Sequence, residues 1–144
     1  MKIQCVLTAA MSKRLIAKGV AAHPVVKTAL VNGNIGICRG TTATAVASEF
    51  LNRPVEPFSY TTSVVLPPGM AKPAAPEETL HDIIIRRGEI HTDGETVMEA
   101  SRSMRPGDVI IKGANALNYS QGIAGCLVGH PEGGRPALRC CDDR

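Results

Sequence analysis

Apolar positions along the chain alternate between helical spacing and short unbroken runs, and each switch marks an element. Leu15, Ile16 and Val20, then Val25, Val26, Ala29 and Leu30, recur at helical intervals, the His23-Pro24 step predicts a break and restart, and Gly33 is the stop. The glycine-bounded run Ile35 to Cys38 predicts a buried strand. RGTTATAVASEFLN then predicts a tight loop and a helix carrying Ala45, Val46, Ala47, Phe50 and Leu51 on its apolar positions.

Residues 53 to 80 change character, because Pro54, Pro57, Pro67, Pro68, Pro73 and Pro76 cannot donate to a ladder or continue a helix. This stretch reads as a long covering loop with one short strand at Ser63 to Leu66. Asp82 to Arg86 reads as another buried strand, EIHTDG as a hairpin tip bent at Asp93-Gly94, and Glu95 to Met104 as an amphipathic helix. Further strands are expected at Val109 to Lys112 and at Ile123 to Val128. Strands alternating with helices imply an α/β domain, Rossmann-like and three-layered, with a mostly parallel sheet. The boundaries expected are a single domain over 1–134, covered by the loop at 53–80, and an irregular tail over 135–144.

Composition narrows the function classes. A chain of 144 residues supports one core, and with two Phe, two Tyr and no Trp that core must pack small aliphatic side chains. A formal charge of +3, from 16 basic and 13 acidic residues, is too mild for the basic stripe that duplex binding needs, and the scarcity of aromatics removes the stacking platforms for single strands. Nucleic acid is therefore not an expected partner. No apolar run approaches the roughly 18 residues of a membrane span, so no membrane partner is expected either. Five cysteines without C-x-x-C spacing suit neither a disulfide framework nor a zinc site, which points to a reducing cytoplasm with no metal and no cofactor. Cys38 and Cys126 lie in apolar runs and read as small hydrophobes. His23, His81 and His91 lack ligand-like spacing.

Three glycine-marked strand ends carry the candidate chemistry. In IGICRGTTAT, Gly40 lets the chain turn and present N–H groups at the start of a helix, with hydroxyls at Thr41, Thr42 and Thr44 to meet phosphate oxygens. A strand-to-helix turn capped by Thr accounts for the same residues with no ligand. In DVIIKGANALN, Lys112, Gly113 and Asn115 gather at a strand's carboxyl end, where open α/β sheets collect their ligands. In GHPEGG, His130 and Glu132 form the best available general acid/base pair, with a His-Pro turn and a solvated Glu as the alternative. Neither GxxxxGK[ST] nor GxGxxG is matched, so nucleotide hydrolysis and nicotinamide chemistry are not expected.

GTTATAVASEFL followed by DVIIKGANALN resembles the superfamily of ribose-5-phosphate isomerases, glucosamine-6-phosphate deaminases and CoA transferases, and within it the metabolite-sensing domains of DeoR-type regulators most closely. The resemblance spans residues 12 to 52 and 82 to 134. It implies that Gly40, Thr41 and Thr42 hold a substrate phosphate and that Gly113, Ala114 and Asn115 face the ligand. The isomerase pattern has carboxylates where this chain has Lys112, Asn115, Ala116 and Asn118. Binding a small phosphorylated metabolite is accordingly the expected function, with isomerase or lyase chemistry through His130 and Glu132 as one alternative and a structural assembly domain as another. No helix-turn-helix segment precedes residue 12. The chain stops about where such folds add strands, as in a minimal or truncated member, and the edge this leaves predicts a homodimer or larger homo-oligomer.

Overall fold

The computed structural model describes residues 3–56, 58–62, 68–70 and 79–126. Helix α1 (Ala9–Ala22) begins where the Thr8 side chain accepts a hydrogen bond from the Met11 N–H, and ends at His23, whose backbone is extended ahead of proline. Helix α2 (Pro24–Asn32) starts on Pro24, which loses nothing at a position whose N–H has no intrahelical partner. Strand β1 (Asn34–Ile37) and helix α3 (Thr41–Leu51) follow, then β2 (Ile83–Arg86), β3 (Glu89–His91), α4 (Val97–Ser101), β4 (Val109–Ile111), β5 (Ala116–Asn118) and β6 (Ile123–Gly125).

The main sheet has the order β3-β2-β1-β4. Its β1–β4 pairing is parallel, with Ile37 opposite Ile111, whereas β1–β2 and β2–β3 are antiparallel. The mostly parallel sheet expected from the alternation of elements is therefore mixed among the described residues. The reason is local: Arg87 and Gly88 both take positive φ, 48° and 85°, which is the two-residue hairpin turn that folds β3 straight back on β2. The expected bend at Asp93-Gly94 lies beyond that hairpin.

Period-two alternation assigns the core. Ile35, Ile37, Ile83 and Ile85 point to one face, where Ala17, Val26, Ala29, Val46 and Ala47 of α1, α2 and α3 cover them. Cys38 and Ile84 point to the other, under Val97 and Ala100 of α4. Each buried isoleucine contributes about 1.5–3 kcal/mol. The helix expected over Glu95 to Met104 is shorter because its last turn tightens: the N–H groups of Arg102, Ser103 and Met104 each reach back three residues. A capping box between Thr96 and Glu99 sets its start.

One further expectation is corrected. The strand at Ile123 leaves the main sheet and pairs antiparallel with β5, since Asn118 organises the intervening turn by accepting from the Ser120 hydroxyl and the Gln121 N–H. The described part of the proline-rich segment is coil and turn, and it also contributes to the core: Val55, Ser59, Tyr60 and Leu80 are buried, and Tyr60 donates its hydroxyl to the Ile37 carbonyl while accepting the Ile83 N–H at 3.0 Å. The expected strand at Ser63 to Leu66 lies outside the described residues. No described helix is long and apolar enough to cross a membrane.

Candidate functional site

Parallel pairing of β1 with β4 fixes which strand ends are neighbours. With Ile37 opposite Ile111, the next residues are Cys38, Arg39 and Gly40 on one strand and Lys112 and Gly113 on the other, and the Cys38 N–H donates to the Ile111 carbonyl at 2.9 Å. The structure thus brings Gly40, Thr41, Thr42, Lys112 and Gly113 to one sheet edge. Asn115 follows two residues later and is exposed, its N–H donating to the Gly125 carbonyl at the base of the β5–β6 hairpin. His130 and Glu132 lie outside the described residues.

Gly40 is the N-cap of α3, so the helix begins without a side-chain cap, and the Thr-capped turn is not what forms. The Thr44 hydroxyl is turned inward instead, donating to the Gly40 carbonyl at 3.0 Å. Thr41 is exposed and Thr42 half-buried. Nothing in the fold asks for glycine at position 40: its φ of 167° is ordinary extended backbone, and a Cβ there would meet only the Ala43 Cβ, at 3.9 Å. The Gly40 N–H donates to the Tyr60 carbonyl at 2.9 Å, which fastens the loop to the buried floor formed by Tyr60. Lys112 is exposed and its Nζ lies 3.3 Å from the Gly113 carbonyl.

Beneath this edge lies a charged pair that the sequence pattern did not single out. Antiparallel β1–β2 pairing places Asp82 beside Cys38, and its side chain is fully buried, with Oδ2 accepting the Val97 N–H at 3.0 Å. The Arg39 Nε stands 3.3 Å from the other oxygen but off the hydrogen-bonding line, so charge rather than a formed hydrogen bond holds the two. A lone acid abutting the apolar run Ile83 to Ile85 was the available signal, since a carboxylate at a buried strand's start needs a partner.

Thr41 and Thr44 also line a groove of about 810 Å³ between α1 and α3, together with Lys13, Arg14, Lys18 and Arg53. None of these four cations was a sequence candidate. Their signal was the pattern Lys13, Arg14, Lys18, which puts charge on neighbouring turns of one helix. Lys18 is partnered by Glu49 across the groove at 3.6 Å. Among the described residues no group of three His, Cys, Asp or Glu side chains is placed to hold a metal ion.

No protein-family model, curated protein or solved structure matches the chain.

Proposed function

We propose that the chain binds a small phosphorylated metabolite at the carboxyl edge of the β1–β4 pair. The observation that carries this reading is the register that sets two glycine-marked strand ends side by side, one of them opening directly into α3. An anion there meets the N–H groups of the first turn of α3 and the positive end of its dipole, with the Thr41 and Thr42 hydroxyls and the Lys112 ammonium as further donors. Asn115 and Gly113 face the polar body of the ligand. Glycine at 40, where the fold leaves room for a side chain, suits a ligand that approaches the backbone closely.

Helices α1 to α3 on one face of the sheet and α4 on the other support a Rossmann-like three-layer arrangement. The resemblance to the sugar-phosphate isomerase superfamily and its sensing domains is part of the same proposal. Binding rather than turnover is the better-supported activity, because the carboxylate at this edge, Asp82, is committed to Arg39 and Val97. Free thiols at Cys5 and Cys126 suit a reducing cytoplasm.

Calorimetric titration with pentose and hexose monophosphates tests the assignment. Thr41→Val combined with Thr42→Val should weaken binding about tenfold or more, as expected when charge-assisted hydrogen bonds are lost. Unchanged affinity in that double variant would remove the phosphate from this loop.

A further inference from the structure

The groove between α1 and α3 concentrates positive charge. It holds four of the 16 basic side chains and one of the 13 acidic ones, so outside it bases and acids are equal in number. The lining therefore carries a net formal charge of +3, equal to that of the whole chain. Low-dielectric walls, here Ala10, Ala45, Val55 and Phe58, strengthen such a field at an anion inside it.

We propose that this groove is a second anion subsite, continuous with the first through Thr41, and that the ligand is an extended small molecule with two separated phosphates. The inference rests on the phosphate site at Gly40 and Thr41, and it specifies the ligand class that site belongs to. Three observations support it. A volume of about 810 Å³ lies in the upper part of the roughly 300–1,000 Å³ range of small-molecule pockets, which suits more than a sugar monophosphate. Glu49 already neutralises Lys18, whereas half-buried Lys13 and exposed Arg14 have no carboxylate within ion-pairing distance among the described residues. The two cationic types also divide the work of recognition, Lys13 as a point charge and Arg14 as a planar fork that grips a phosphate with two N–H groups. One phosphate then sits at the start of α3, the carbon skeleton runs over the apolar wall, and the second phosphate meets Lys13 and Arg14.

The test compares affinities for fructose 6-phosphate and fructose 1,6-bisphosphate, with ribulose 5-phosphate and ribulose 1,5-bisphosphate as a shorter pair, by calorimetry on the full chain. The wild type should prefer a bisphosphate over its monophosphate by about tenfold or more. Lys13→Gln with Arg14→Gln should bring that ratio close to one while leaving monophosphate affinity within about twofold; Gln is a good helix former, so α1 is retained. Lys27→Gln, which removes an exposed charge of α2 outside the groove, controls for long-range attraction and should leave the ratio unchanged. A wild-type ratio near one in both pairs, or a ratio unmoved by the double variant, overturns the inference and leaves the Thr41 site standing. A ratio that depends on Lys13 and Arg14 but ignores Thr41→Val with Thr42→Val keeps the groove and removes the site at α3. No binding of any of the four overturns both.

Discussion

The two ends of the β1–β4 pair are built on opposite plans. At the amino end the polar groups answer one another: Asp108 accepts the Asn34 N–H at 2.7 Å, the Asn34 side-chain amide at 3.0 Å and the Arg105 N–H at 2.8 Å. A Cβ at Gly33 would lie 2.7 Å from the Asp108 Oδ1, so a side chain there displaces the carboxylate from Asn34. At the carboxyl end, a Cβ fits at Gly40, the α3 N-cap has no side chain, and cations gather at Lys112 and along the adjoining groove. One end is closed by side-chain hydrogen bonds, whereas the other leaves the first turn of α3 without a side-chain cap. The difference directs the search for function to the carboxyl end, because the contact with Asp108 accounts for Gly33 and packing leaves Gly40 unaccounted for.

The comparison breaks first at Asp108. Replacing it with Ala leaves the Asn34 and Arg105 N–H groups without their acceptor and should cost about 2 kcal/mol of stability, read by urea unfolding, with ligand affinity unchanged. The same carboxylate makes that end sensitive to acid. Burial by itself raises its pKa, but hydrogen bonds from the Asn34 side chain and from the Arg105 and Asn34 backbones outweigh this and hold it below its ordinary value of 3.8. The folded chain therefore binds fewer protons at Asp108 than the unfolded chain. Its contribution is fully present above that ordinary value and is lost as pH falls through the lowered one. In Asp108→Ala the acid limb of the stability curve should flatten. An unaltered limb would place the acid sensitivity elsewhere.

Gly33→Ala should give a smaller loss, about 1–2 kcal/mol, because the new methyl pushes the Asp108 carboxylate off Asn34. If its effect vanishes in the Asp108→Ala background, the two act through one contact, as a double-mutant cycle would report.

How much of this was legible follows from the range of each interaction. The break at His23-Pro24, the strand at Ile35 and the helix after Gly40 rest on local periodicity and turn chemistry, and the structure has them close to where the pattern puts them. The strand directions were not legible, since the turn at Arg87-Gly88 lacks the usual Asn-Gly or Asp-Gly signature, and Asp93-Gly94 nearby carried a stronger signal. Tyr60 was hidden for a different reason: its partners Ile37 and Ile83 are remote in sequence, and prolines around it read as loop. The basic groove was missed because it forms only where α1 meets α3: Lys13, Arg14 and Lys18 share one helix, but the facing wall and Arg53 are remote from them in sequence. Lys112 and Gly113 were assigned correctly to a strand end, and it is the parallel register that makes that end the neighbour of Gly40.

The smallest effect on stability carries the sharpest test of function. Gly40→Ala should change unfolding stability by less than about 0.5 kcal/mol, because the added methyl meets only ordinary van der Waals contact. The decisive measurement is thermal unfolding of the wild type and of Gly40→Ala, each alone and with a panel of sugar phosphates and inorganic phosphate. At about 100 times its dissociation constant, a bound ligand should stabilise the wild type by roughly 2.7 kcal/mol. The account predicts equal melting without ligand and a shift in the wild type that is largely lost in Gly40→Ala. Equal shifts in both proteins, or none in either, would contradict the claim that the carboxyl edge of β1 and β4 is built for a phosphorylated ligand.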